Sequence, residues 1–172
     1  MNVHQGLSRR MLLGAAVGML ILPRHARALE PPKGDVILTV GGAVQNTNGD
    51  GAARFDLAML EALPKASFKT SSPWFQQETL FEGTWLASLL EAVGAEGTSM
   101  SAKAINDYAV DIPLEDARLN KALLAYKVDG EYMPVRNKGP LWIIYDFDSS
   151  VTLRSEIYYT RSIWQLNSLT IS

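Results

Sequence analysis

The sequence contains no cysteine, although it begins with a segment typical of proteins that fold outside the cytoplasm. Small exported domains commonly depend on disulfides, which form in oxidising compartments. A chain without cysteine has to fold by the packing of its side chains alone. Residues 29–172 are long enough to enclose one hydrophobic core, so we expect a single domain there.

Residues 1–28 have the features of an export signal. Two adjacent arginines precede an uncharged run from Met11 to Pro23, and Ala26-Arg27-Ala28 matches a small-x-small cleavage pattern. The run is too short to cross a bilayer as a helix. The arginine pair resembles a twin-arginine signal, and the general secretory route stays open as the alternative. We therefore expect a periplasmic protein that does not insert into the membrane after cleavage.

Both histidines, His4 and His25, lie in this expected signal, so residues 29–172 contain neither thiolate nor imidazole. These groups are the usual nucleophiles, general bases and transition-metal ligands near neutral pH. Their absence excludes cysteine–histidine and serine–histidine–aspartate catalysis. The signal also holds four of the 16 basic residues and none of the 18 acidic ones. The remaining chain is acidic, which argues against a nucleic-acid or anionic-membrane surface.

Hydrophobic patterning predicts more strands than helices. Apolar, β-branched runs predict strands at residues 36–40, 68–70, 102–105, 108–112 and 141–145, and Asp129-Gly130 is a turn signal. Asp56 and Thr84 are candidate caps of short helices that end at Pro64 and Gly94, and residues 114–119 predict a helical turn. Ser71 to Trp74 is expected to be a loop. Strands and helices do not alternate regularly, so we expect an α+β fold with mixed β-sheets and a few short helices.

Three segments carry a family resemblance through their order and spacing. They are Phe81–Leu86 with the apolar helix that follows, Ala104–Pro113, and Ala125–Trp142. Together they resemble the molybdopterin-binding domain of the sulfite oxidase superfamily over nearly all of residues 36–169. In catalytic members one cysteine sulfur holds molybdenum, in a loop that corresponds here to Thr70–Phe75. That loop has no thiolate in this chain.

The resemblance therefore implies a small exported member that binds a pterin without molybdenum. Such proteins act with a membrane-bound partner that makes or degrades cyclic di-GMP, and this partner is expected here on the resemblance alone. Two alternatives stay open. One is a molybdopterin-dependent oxidoreductase or its accessory subunit, and the other is a structural or assembly factor whose pocket has collapsed.

A pterin is a flat ring that suits an aromatic face, with one donor edge and one acceptor edge. Trp74 is the candidate for stacking, with a lid over the core as the alternative. Asp107 is the candidate for the donor edge, although it is also typical of an Asx turn. Its neighbours Asn106 and Tyr108 are further candidate ligand-binding residues, and the alternative for Tyr108 is a place in the core.

The acceptor edge of the ring suits cations. Arg136, Lys138 and Arg161 are the candidates for it. Solvated loop charges are the alternative for the first two, and a stability contact with Trp164 is the alternative for Arg161. We expect no catalytic residue and no metal ligand in the domain.

Overall fold

A computed structural model describes residues 29–119 and 121–172. The expected export signal, residues 1–28, lies outside the described residues. Within the described part, no helix is both long enough and apolar enough to cross a membrane. The described chain forms mixed sheets with four short α-helices, which confirms the expected α+β class.

The elements follow one another as strands with short helical insertions. The strands are β1 (Leu38–Gly42), β2 (Ala53–Phe55), β3 (Lys65–Ser72), β4 (Phe75–Trp85), β5 (Ser99–Ala104), β6 (Ala109–Pro113), β7 (Leu123–Val128), β8 (Glu131–Tyr132), β9 (Trp142–Ile144) and β10 (Leu166–Ile171). The helices are α1 (Leu57–Glu61), α2 (Leu86–Ala92), α3 (Leu114–Leu119) and α4 (Glu156–Arg161), with a 3-10 turn at Val151–Leu153.

The first sheet has five strands in the order β2-β1-β10-β5-β6. The strand β10 lies at its centre, where it pairs in parallel with β1 and antiparallel with β5. The inward side chains of this sheet are mostly aliphatic, and Leu38, Val40, Met100 and Leu169 are all buried. Because its central strand comes from the end of the domain, this sheet joins segments that are far apart in the sequence.

The second sheet is built on the long hairpin of β3 and β4. The strand β4 also pairs with β7, and β7 pairs with both β8 and β9. Phe81 of β4 and Trp142 of β9 are fully buried, with ring centroids 5.4 Å apart and nearly perpendicular planes. This sheet therefore contributes large aromatic rings to the shared core.

Local capping signals gave correct predictions. The Asp56 carboxylate accepts a hydrogen bond from the Met59 amide at 2.9 Å, which caps α1 as expected. The carboxylate also accepts from the amides of Gly34 and Lys33, and these hydrogen bonds lower the pKa of Asp56 below its usual value. Gly94 has a positive φ of 60° after α2, which confirms the expected end of that helix.

Two local predictions were wrong. The expected loop at residues 71–74 is a tight turn, because β3 continues through Ser72 and β4 begins at Phe75. Thr84 does not cap α2, since its hydroxyl donates to the carbonyl oxygen of Pro64 at 2.9 Å. Trp85 occupies the cap position without a side-chain hydrogen bond. In both cases pairing across the β3–β4 hairpin overrides the local pattern.

Candidate functional site

A pocket of about 390 Å³ opens where the β3–β4 turn, the β5–β6 connection and the end of α4 meet. Trp74 reaches it from the β3–β4 turn, and Asn106 and Tyr108 reach it from the β5–β6 connection. Its lining residues are Trp74, Ala104, Asn106, Tyr108, Tyr159, Thr160, Ser162, Ile163 and Trp164. Three of the residues singled out in the sequence thus come together in one cavity.

Aromatic rings form one wall of this pocket. The ring centroids of Trp74, Trp142 and Trp164 lie 5.2–5.8 Å from one another, and each pair meets edge to face. Tyr159 meets Trp74 in the same way at 6.0 Å. Edge-to-face contacts hold each ring at a fixed angle. Trp74 is half-buried and Trp164 is 36% exposed, so both combine a packed side with an accessible one.

The β5–β6 connection contributes polar groups to the pocket. The Tyr108 amide donates to the side-chain oxygen of Asn106 at 3.2 Å, so Asn106 forms the Asx turn of this connection. Asp107 adopts a positive φ of 67° in that turn, and its carboxylate pairs with Lys103 at 2.7 Å. This lysine lowers the pKa of Asp107 through a hydrogen bond and its charge. Asn106 and Tyr108 therefore line the pocket, whereas Asp107 pairs with Lys103.

The segment Thr70–Phe75 is fastened by a carboxylate. The amide and the hydroxyl of Ser71 both donate to Asp148 at 2.6 Å, and Arg154 donates to the same carboxylate at 2.6 Å. The Ser71 hydroxyl and amide, followed by Arg154, hold the pKa of Asp148 below its usual value. We call Ser71, Asp148 and Arg154 the clasp. It connects the turn that carries Trp74 to the chain after β9.

A neighbouring cavity of about 240 Å³ lies beside the clasp. Ser72 borders it, and the hydroxyl oxygen of Ser72 is buried with no hydrogen-bond partner among the described residues. Tyr159 borders both this cavity and the aromatic pocket. The two spaces are therefore adjacent at this ring.

The two cationic residues of the loop before β9 have different surroundings. The ammonium of Lys138 lies 4.6 Å from the ring centroid of Trp164 and 5.7 Å from that of Trp142. Arg136, two residues earlier in the loop, is exposed. Lys138 is thus the cation that contacts Trp164, at the place where the sequence suggested Arg161.

Arg161, the last residue of α4, takes part in a largely buried network. Its guanidinium donates to Asp116 at 2.8 Å, and the Tyr145 hydroxyl donates to the same carboxylate oxygen at 3.1 Å. Burial, followed by the charge of Asp116, raises the pKa of Tyr145 far above its usual value. Arg161 therefore connects α4 to α3 and does not line the pocket.

Comparison with known families agrees with this architecture. Residues 38–146 match the family model described as the oxidoreductase molybdopterin binding domain. This chain belongs to that family. No curated protein matches the sequence. The matched residues include Trp74, Asn106 and Tyr108 of the pocket.

The remaining pocket residues of this family member were not predicted as binding residues. Tyr159, Thr160, Ser162 and Trp164 follow residue 146, outside the matched segment. They reach the pocket through α4, a short helix for which the sequence gives no strong cap signal. The one available hint is the high density of aromatic residues between Tyr158 and Trp164.

The pocket fits one part of the family's cofactor. A flat pterin ring suits the aromatic wall, and the exposed side chains of Asn106 and Tyr108 offer hydrogen-bonding groups for its edges. A cysteine-held metal does not fit, since the whole sequence lacks cysteine and both Ser71 donors point to Asp148. Within residues 29–119 and 121–172, no three potential metal ligands lie close together.

Proposed function

We propose that this protein is an exported, non-catalytic pterin-binding protein. It reports the presence of the pterin to a membrane-bound partner of cyclic-di-GMP signalling. The family match supports binding of a molybdopterin-type ligand. The observation that carries the narrower proposal is the aromatic pocket beside a clasp in which a carboxylate, and no thiolate, holds the Trp74 turn.

The proposed binding mode follows from the aromatic rings and the polar groups of the pocket. The pterin ring lies against Trp74 and Trp164, and the polar groups of Asn106 and Tyr108 face its edge. The side-chain nitrogen of Asn106 makes no hydrogen bond within the described residues, so it is available as a donor. A substituent on the ring has room toward Ser72, because Tyr159 borders both cavities.

Signalling would proceed by a shift in population. The Trp74 turn lies at the tip of the β3–β4 hairpin, and the Trp74 ring contacts Tyr159 and Trp164, which border the pocket. A ligand that packs against Trp74 favours the conformation in which these rings are ordered. The partner would then recognise the ordered turn. The periplasmic location and the cyclic-di-GMP partner enter this proposal from the leader and the family resemblance.

The test is a titration of the purified protein with oxidised and reduced pterins, followed by tryptophan fluorescence. We expect saturable quenching at one equivalent. Trp74→Ala should weaken binding about tenfold, which corresponds to the loss of one stacked ring. Trp85→Ala is the matched control, because Trp85 stacks on Phe68 at 6.3 Å and does not line the pocket. Equal affinities for both variants would rule out the stacking role of Trp74.

A second candidate is a molybdopterin-dependent oxidoreductase or its accessory subunit, which the family match favours. Metal analysis of protein purified from its native host separates the two candidates. Stoichiometric molybdenum would support the oxidoreductase. Bound pterin without molybdenum would support the proposed sensor. A cellular test follows: deletion of the gene should abolish the response of cyclic-di-GMP levels to an added pterin.

A further inference from the structure

A second, polar groove of about 230 Å³ lies on the outer face of the second sheet. The alternation of β4 directs Phe81 into the core and Glu82 outward into this groove. Glu61 at the end of α1 and Lys65 at the start of β3 form its other side. The groove and the aromatic pocket share no lining residue.

A β-bulge shapes the floor of the groove. Glu82 pairs with Lys127 and Gly83 pairs with Ala125, so Tyr126 is the extra residue on β7. As a result the neighbouring side chains of Tyr126 and Lys127 both line the groove. Gly83 is required here, because a Cβ at this position would lie 2.0 Å from the carbonyl oxygen of Leu124. Bulges of this kind are common beside binding sites.

The carboxylates of the groove lack a cationic partner. One carboxylate oxygen of Glu82 is buried and makes no hydrogen bond with any described residue. Lys127, its cross-strand neighbour, directs its ammonium to the Tyr132 ring at 4.4 Å. Glu61 accepts a hydrogen bond from the Tyr132 hydroxyl. None of the four ion pairs within the described residues involves Glu61 or Glu82.

Two acidic side chains, Glu61 and Glu82, and two basic ones, Lys65 and Lys127, line the groove, and the ammonium of Lys127 contacts the Tyr132 ring. Burial raises the pKa of Tyr126, and the nearby charges of Glu61 and Glu82 add to this shift. A buried carboxylate oxygen without a donor is costly, so a ligand that brings a donor is favoured. A metal ion would need more ligands, and no group of three potential ligands is present in the described part of the chain.

We propose that this groove binds a small organic cation with N–H donors, an ammonium or guanidinium group, which hydrogen-bonds to Glu82. The cation is either a free amine or the basic side chain of a peptide, and the two share this headgroup chemistry. Glu61 adds the second negative charge. Tyr126 and Lys127 complete the lining beside these two carboxylates.

The experiment is a titration of the full domain by ¹⁵N–¹H NMR with n-propylammonium and with N-acetyl-arginine methylamide. Saturable shifts at residues that border the groove are expected for at least one probe, and the tighter probe identifies the preferred headgroup as an ammonium or a guanidinium. Tetramethylammonium has the same charge but no N–H donor, so it should not bind. Equal binding of tetramethylammonium, or the absence of saturation with both probes, would overturn the proposal.

Glu82→Gln should weaken the binding of the better probe about tenfold, since a hydrogen bond to a charged group is lost. Glu78→Gln is the matched control, because Glu78 lies exposed on the same face of β4. Unchanged affinity in Glu82→Gln would contradict the proposal. The carboxyl carbon resonance of Glu82 in the unmodified protein gives an independent readout and should move on binding. Pterin binding by Glu82→Gln should be unchanged, so failure of this proposal and failure of the pterin proposal are distinguishable.

Discussion

The two sheets share one core, and aromatic rings make up more of the contribution of the second sheet. The first sheet contributes mostly aliphatic residues such as Leu38 and Leu169, and the second adds Phe81 and Trp142 to aliphatic residues such as Ile143. Aliphatic side chains fill space without a preferred angle between partners, whereas aromatic rings present flat, rigid faces. The aliphatic sheet is suited to hold the fold, and the aromatic side is suited to receive a flat ligand.

The aromatic pocket lies where these two regions meet. The first sheet sends Asn106 and Tyr108 into it from the β5–β6 connection, and the second sends Trp74. Burial alone therefore does not separate structural from functional residues in this protein. The position of a residue relative to the aromatic cluster separates the two kinds, and mutations can test this distinction.

The largest effects on stability are expected when one core residue of each sheet is replaced by alanine. Trp142→Ala should lower the free energy of unfolding by about 3–5 kcal/mol and weaken pterin binding, because the ring also orders Trp74 and Trp164. Leu169→Ala should cost about 2–5 kcal/mol and leave the affinity unchanged. Denaturant unfolding and pterin titration of both variants measure these effects. A loss of affinity in Leu169→Ala would remove the proposed division between the sheets.

An intermediate effect concerns the clasp and its dependence on pH. Because folding lowers the pKa of Asp148, its stabilising contribution is present above the ordinary carboxyl pKa of about 4 and is lost as the pH falls through the lowered value. Asp148→Asn should therefore flatten the acid dependence of stability below pH about 4. Circular dichroism during an acid titration of both proteins measures this dependence.

The clasp should act locally. In Asp148→Asn, tryptophan fluorescence near Trp74 should change at neutral pH, while amide exchange in β1 and β10 should stay as in the unmodified protein. Faster exchange in those strands would show that the clasp supports the whole fold and not the aromatic side alone.

The smallest expected effect is at the rim of the aromatic region. Lys138→Gln removes the cation above Trp164 and should lower the free energy of unfolding by about 0.5–1 kcal/mol, as expected for a partly exposed cation–π contact. Arg136→Gln is the matched control, since Arg136 is exposed in the same loop. Similar values for the two variants would mean that the Lys138 contact contributes no specific stability.

Sequence-based prediction succeeded where the signal was local. The Asp56 cap, the helix at residues 114–119 and the turn at Asp129-Gly130 each depend on a few neighbouring residues, and the structure confirms all three. The β3–β4 hairpin was partly missed, because its length is set by pairing between strands and not by the polar composition of Ser71 and Ser72.

The same distinction between local and long-range signals explains which residues of the candidate site were predicted. Trp74, Asn106 and Tyr108 stood out because the family resemblance pointed to their segments, and the structure places all three in one pocket. Tyr159 was not singled out, and Trp164 was considered only as a contact of Arg161, because only the docking of α4 brings both residues to the pocket. Arg161 was singled out by its charge, yet the partner that decides its position, Asp116, is 45 residues away in sequence.

The central place of β10 in the first sheet has a consequence for biosynthesis. Thr39 of β1 is paired with Ser168 of β10, so the first strand to be made receives its neighbour only when translation reaches the end of the domain. At about 5–20 residues per second, β1 stays unpaired for several seconds or more. During that interval its apolar face is open to chaperones, and the first sheet cannot close until β10 has been made.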